Sequence, residues 1–352
     1  MRLLEIVLLG YLAAVYGHLG HEESAFDLEL KRGAHSDIRR SIASCKGHLE
    51  KRGHNSRANT RRAALVENYR HAIGHRDTQS GATRSHNLNQ SYGLPFEPEA
   101  IFEKFAMCIL SPESDEGPYW VKGEHIRSNL REDVPGIPIV LEAQFINVET
   151  CEPLSEAWWD LWSCNAEAVY SGVLGPQGSD EIDDPANIDT TFLRGVQKTD
   201  EDGVVTFKSI FPGHYPKRAT HMHMVVLLNA TLNLNGTLSG GHHAHIGQFF
   251  WNQDLITAVE ATWPYNTNRI LITPNDQDPL FAMELANDAP DPVLEYIYLG
   301  DDLSDGLFAW VIVVVNTSAQ YEPSYNFTLT KEGETNETSP DGGWHLPARP
   351  PV

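Results

Sequence analysis

The chain has 352 residues, 41% of them hydrophobic and 9% aromatic, which is ample for a large core and excludes wholesale disorder. Its 48 acidic side chains outnumber 26 basic ones, and the formal charge of −22 argues against nucleic acid and anionic membrane surfaces as partners, since both repel a net anion. Four cysteines are too few for a disulfide scaffold.

The charge is unevenly spread. Residues 31–84 hold 13 Lys and Arg against 4 Asp and Glu, whereas residues 85–352 hold 12 against 39. This split predicts a basic leader joined to an acidic globule. At the N-terminus, Met1-Arg2 is followed by an apolar run from Leu3 to Val15, broken once by Glu5, and then by small residues. Those thirteen residues fall short of the ~20 needed to cross a bilayer, so residues 1–17 read as a signal peptide and the chain as secreted. Six Asn-X-Ser/Thr sequons, at Asn89, Asn229, Asn235, Asn316, Asn326 and Asn336, fit an exported glycoprotein. Lys31-Arg32 and Lys51-Arg52 read either as processing sites or as plain solvated charge.

Residues 18–93 form a polar, His-rich leader (His18, His21, His35, His48, His54), part of which is a candidate propeptide. Within it, Leu65, Tyr69, Ala72 and Ile73 give one apolar stripe, predicting a helix over 60–75 that Gly74 ends. Residues 94–330 bring short alternating or apolar runs bounded by turn residues. Strands are predicted over 139–148, 157–163, 192–198, 204–210, 221–228, 246–251, 294–299 and 308–315, with a short helix within 254–263. The pattern predicts a mainly β fold, an antiparallel sandwich or barrel, of which the antiparallel β-sandwich is the reading taken. Residues 331–352 read as a disordered tail. Cys45, Cys108, Cys151 and Cys164 allow two disulfides in three connectivities. A Cys151–Cys164 bridge is disfavoured, because a hairpin across this region would hold the two roughly 20 Å apart.

Gly-x-Ser-x-Gly, His-Glu-x-x-His, a phosphate-binding glycine loop and Cys-x-x-Cys are all absent. What stands out is the segment from Phe211 to His223. On a strand, His221 and His223 share one face, a natural start for a metal site. Tyr215 sits behind a Pro-Gly turn that can fold it back toward them, and Tyr170 lies in a polar loop after a Trp-rich strand. His214 reads as a pocket or surface residue, and Gly240–His245 as a surface loop. Trp158, Trp159 and Trp162 read as core residues, and Asp160 as structural.

At these two segments the chain resembles the intradiol ring-cleavage dioxygenases, non-haem iron(III) enzymes, and within them the secreted branch known from fungi. The resemblance runs in order through Cys151-Glu152-Pro153, Asp160-Leu161-Trp162, Tyr170-Ser171-Gly172, Phe192-Leu193-Arg194-Gly195, Thr199–Gly203, Phe211–His223 and Gly247-Gln248. It implies that Tyr170, Tyr215, His221 and His223 hold Fe(III), that Arg218 stabilises charge on the substrate, and that Gln248 lines the same pocket. It further implies a catechol-type substrate bound as a dianion in place of Tyr215, with O2 as co-substrate and a muconate-type diacid as product. Two phenolates suit a hard ferric ion. The chain departs from the family at Ser163, where His is common, and at Ala168, where Gly often stands. The helical dimerisation domain of bacterial members is not evident, and self-association is left open. The rival from another class is a non-catalytic extracellular module that binds aromatic or carbohydrate ligands on the same scaffold.

Overall fold

The computed structural model describes residues 45, 47, 49, 51–73, 117–234, 236–285, 292–322, 327–329 and 335–337. The expected signal peptide, Lys31-Arg32, Cys108 and the sequons at Asn89, Asn235 and Asn326 lie outside the described residues. The eight expected strands are present as β1 (Pro138–Asn147), β2 (Trp158–Trp162), β3 (Arg194–Lys198), β4 (Val204–Ile210), β5 (His221–Leu228), β6 (His242–Phe250), β7 (Glu295–Tyr298) and β8 (Leu307–Val315). They form two four-stranded sheets, ordered β7-β8-β1-β4 and β3-β2-β5-β6. One pair corrects the antiparallel expectation: β1 and β8 run parallel, from Ile139 opposite Leu307 to Asn147 opposite Val315. The chain between these strands runs through β2 to β7 rather than a hairpin, and parallel neighbours require such a long connection.

The two sheets feed one apolar core. Ile139, Leu141, Ala143 and Phe145 of β1 meet Trp159 and Leu161 of β2 and Met222, Met224 and Val226 of β5. Alternation therefore sends the other face of β2 and β5 away from this core, where Trp162 and Val225 join a second cluster with Tyr170. β8 is buried along its whole length, which explains its unbroken apolar run. β6 begins at His242, and Ala244 and His245 are buried, so the stretch expected as a surface loop is largely strand. In the tail expected to be disordered, Thr335–Glu337 pairs with Phe327–Leu329.

Helix α1 (His54–Ala72) starts six residues before the expected position, because the buried line is His54, Ala58, Arg62 and Val66 rather than a purely apolar stripe. Ile73, assigned to the stripe, is 45% exposed. Val66 packs on Val140, Ile297, Leu299, Phe308 and Trp310, covering the outer face of the first sheet. At the centre of this contact Arg62 Nε donates to Glu142 Oε1 over 2.8 Å, and Arg61 adds two bonds of 3.2 Å to the same carboxylate. A Cys45–Cys151 disulfide ties the segment before α1 to the domain. Cys164 is free, its buried thiol facing the Gly213 carbonyl at 3.5 Å, which corrects the expectation of two disulfides. Two short helices complete the elements used below, α2 (Gln253–Glu260) and α3 (Pro279–Glu284).

Glu142 is fully buried and Arg62 nearly so, and removing one member of a buried ion pair leaves the other uncompensated. Glu142→Ala is therefore expected to lower stability by about 3 kcal/mol, measured by equilibrium urea unfolding. A loss within error of zero would show that α1 is not anchored through this carboxylate.

Candidate metal centre

The sheet itself places the first donors. His223 of β5 lies opposite Trp162 of β2 on one side and Gln248 of β6 on the other, and Trp162 in turn lies opposite Arg194 of β3. Met222 and Met224 point into the main core, so His221 and His223 emerge together on the opposite face. The Trp162 ring stacks on His223 with centroids 5.1 Å apart and planes 6° from parallel, fixing the imidazole plane. His221 Nδ1 lies 2.6 Å from the Ala219 carbonyl. That contact requires an N–H at Nδ1, which leaves the lone pair of Nε2 facing the centre.

Tyr170 comes from the loop after β2, and its backbone is held by side-chain amides. Its N–H donates to Gln177 Oε1 at 2.7 Å, and its carbonyl accepts from Asn187 Nδ2 at 2.8 Å. Asn165 shapes the approach by accepting from the N–H groups of Glu167 and Val169. Tyr215 arrives on the opposite loop, where Gly213 lies so close that a Cβ there would sit 2.4 Å from the Asn165 carbonyl oxygen. Only glycine permits that approach. His214 is buried, bonded to Glu260 of α2 and to the Ile270 carbonyl, and takes no part in the centre.

The four expected donors converge. Tyr215 Oη lies 2.9 Å from His221 Nε2, His221 Nε2 lies 3.0 Å from His223 Nε2, and His223 Nε2 lies 3.1 Å from Tyr170 Oη. Among the described residues no group of three or more His, Cys, Asp and Glu side chains could hold a metal ion, so beyond the two imidazoles the protein donors at this point are the phenols. Burial pushes Tyr170 well above the usual phenol value, and pushes Tyr215 up against the lowering pull of Arg218. Without a cation both stay neutral; an ion at the shared point would turn them into anionic oxygen donors. The donor set therefore fits a hard, highly charged cation such as iron(III). Tyr170, His221 and His223 are buried, whereas Tyr215 is only partly so, which puts it on the open side.

Arg218 extends Nη1 to 3.5 Å from Tyr215 Oη and Nη2 to Gln248 Oε1, so both expected substrate-side residues stand at the centre. Asp278, Tyr119 and Glu124 escaped the sequence reading. Asp278, fully buried, accepts from Arg218 Nε at 2.9 Å and Ala219 N–H at 2.7 Å through one oxygen. Its other oxygen accepts from Leu280 N–H at the start of α3. An Asp before Pro is a helix-start signal, and that much was visible in the sequence. Tyr119 stacks on Tyr170 at 4.5 Å and meets Tyr215 edge-on at 6.4 Å. Behind Tyr170, Glu124, Asp160 and Arg194 form a buried charged cluster, and burial pushes the two carboxyls up to about 8 and about 7.

Two stability predictions of opposite sign follow from these carboxyls. Asp278→Asn sets an amide against two donors and is expected to cost about 2–3 kcal/mol, read by thermal or urea unfolding. Glu124 titrates at about 8 in the fold against an ordinary 4.5, so the folded chain keeps a proton that the unfolded chain releases. Stability then falls as pH climbs through that window. Glu124→Gln should be more stable than the parent at about pH 8.5 and no more stable at about pH 4; equal melting temperatures at the higher pH would refute the assignment.

No family model and no curated protein matches the chain. Among solved structures, an intradiol ring-cleavage dioxygenase from Tetranychus urticae is 30% identical, covering 61% of this chain and 98% of its own, with a TM-score of 0.49. The dioxygenase domain of a carbohydrate-binding fusion protein from Streptomyces sp. SirexAA-E is 20% identical, covering 57% of this chain and 94% of its own, with a TM-score of 0.36. Catechol 1,2-dioxygenase from Acinetobacter sp. ADP1 is 18% identical, covering 62% of this chain and 65% of its own, with a TM-score of 0.38. It is the 30% identity to the Tetranychus urticae protein, sustained over 98% of that chain, that decides the relationship. The chain belongs to the intradiol ring-cleavage dioxygenases, a family of oxidoreductases.

Proposed function

We propose that this protein is a secreted, iron(III)-dependent dioxygenase that opens catechol-type rings between the two hydroxylated carbons with O2, giving muconate-type diacids. The observation that carries the reading is the convergence of Tyr170 Oη, Tyr215 Oη, His221 Nε2 and His223 Nε2 through successive contacts of 2.9 to 3.1 Å. Export is supported by the apolar leader and the sequons, of which Asn229 is exposed on the domain. The shared core of the two four-stranded sheets supports the sandwich reading of residues 94–330.

Bound at these donors, iron(III) would supply the charge that draws electron density from a catecholate and activates its ring toward dioxygen. The protein's own part follows from burial and reach. Tyr170, His221 and His223 are fixed by strand or loop bonds and act as permanent donors. Tyr215, partly exposed on its loop, is the donor that can give way to substrate, and its oxygen can take one catechol proton as it does so. Arg218, held by Asp278, supplies a fixed cation beside the substrate oxygens without any reorganisation. Gln248, tied to the same guanidinium, orients it. Tyr119 offers an aromatic wall against Tyr170 for a flat substrate.

The test is oxygen uptake by the iron-loaded protein over a panel of substituted catechols, together with its visible spectrum. The parent is expected to absorb through phenolate-to-iron charge transfer, to change colour with catechol under anaerobic conditions, and to consume one O2 per ring opened. Tyr170→Phe and His223→Ala should each lower kcat/KM by at least the ~100-fold that loss of a mere outer partner of a metal ligand can cost. A colourless, inactive parent after iron loading would refute the proposal.

A further inference from the structure

The cluster behind Tyr170 is unusual in charge and in bonding. Glu124, Asp160 and Arg194 are each at most 3% exposed. Arg194 Nε donates to the Ser171 carbonyl at 2.9 Å and to Ser171 Oγ at 3.0 Å, so it grips the residue next to Tyr170. Ser171 Oγ passes the constraint on, donating to the Phe192 carbonyl at 2.6 Å. The guanidinium carbon stands 5.9 Å from the Tyr170 ring centroid. The Glu124 carboxyl oxygen Oε1 is 3.6 Å from Nη1, too long for a hydrogen bond. Among the described residues Arg194 Nη1 and Nη2, Glu124 Oε1 and Asp160 Oδ1 have no hydrogen-bond partner. Asp160 spends its other oxygen on Trp120 Nε1 at 2.9 Å.

A cation kept in the interior without full hydrogen bonding is costly unless a second anion shares the site. Here the carboxyls compensate only in part, so positive charge is left facing the Tyr170 ring. We propose that Arg194 is a positioning residue for the metal centre: it locks Tyr170 through Ser171 and sets the donor strength of its phenol oxygen through the guanidinium charge over the ring. The inference rests on the ligand role given to Tyr170 above. A cation beside a phenolate ring holds its electrons more tightly, weakening donation to the metal and raising the energy of light needed to move an electron from ring to iron. When ionised, Asp160 and Glu124 oppose that field and moderate it, which happens only as pH climbs past about 7 and about 8 respectively.

The experiment compares the visible charge-transfer band of full-length, iron(III)-loaded parent protein with those of three variants. Arg194→Met should move the band to longer wavelength, and Arg194→Lys, which keeps the charge, should leave it closer to the parent. Asp160→Asn, read at about pH 8.5 where the parent carboxyl is ionised, removes an opposing charge and should move the band to shorter wavelength. Opposite shifts support the inference, because a purely structural role would not reverse sign with charge. Coincident bands for the parent, Arg194→Met and Asp160→Asn overturn it. If Arg194→Met fails to fold, Asp160→Asn decides alone: a shorter wavelength supports the field at Tyr170, and an unmoved band overturns it. A parent that takes up iron without colour overturns the ligand role of Tyr170 and this inference with it, an outcome distinct from a coloured parent whose variants match it.

Discussion

The whole centre hangs on one cross-strand row of a pleated sheet. Arg194, Trp162, His223 and Gln248 stand opposite one another across β3, β2, β5 and β6. A side-chain period of two means that a slip of one residue in any strand would turn its member of the row into the main core. The core prevents that slip, because Met222, Met224, Leu161 and Trp159 fill it from the other face. Packing energy spent on the interior thus fixes the geometry of the polar face. His221 then needs only the next same-face position on β5, opposite Phe250, to stand beside His223.

The phenols are placed by a different device. Neither Tyr170 nor Tyr215 lies on a strand, so side-chain amides and one glycine replace the ladder. Gly213 lets the Tyr215 loop touch the Asn165–Ala166 backbone, and this contact sets the spacing of the two tyrosine loops. Ala168 adopts a φ of 67°, in the left-handed region where an L-residue costs about 1–2 kcal/mol. The chain accepts that strain two residues before Tyr170, where Asn165 has bound the turn on both sides. Strain that persists beside a functional residue is the pattern expected when surrounding bonds over-determine a conformation.

How much of this was legible in the sequence depended on the kind of force involved. Strands β4 and β5 are found at the residues read from short alternating or apolar runs bounded by turn residues, since such runs are what a strand packed on a core imposes. The four donors and Arg218 were legible as motif residues, and the fold brings these side chains together. Helix α1 was misplaced because its buried line runs through Arg62, and an apolar stripe is blind to a charge that is buried by pairing with a residue 80 positions away. The start of β6 was missed for a related reason. Two glycines and three histidines look like a loop, yet His243 and His245 are held by pairing to Leu227 and Val226 across a bulge. Asp278, Glu124 and Tyr119 had no period to betray them, since each acts through a contact that only the tertiary fold creates.

Each tyrosine at the centre has its own buried arginine, and the two pairs are built differently. Arg218 reaches the hydroxyl of Tyr215 and is held tightly by Asp278, with a second bond to Gln248. Arg194 reaches the ring of Tyr170, not its oxygen, and is held loosely by Glu124. The difference matches the exposure of the two phenols. A cation at the oxygen of the open tyrosine can follow the charge when substrate takes that place, because it acts on whichever anion arrives. A cation over the ring of the closed tyrosine touches nothing that exchanges and can only bias a donor that stays bound. With the roles proposed above, the fold would separate a guanidinium beside the substrate from one beside a permanent ligand, using the same residue type for both.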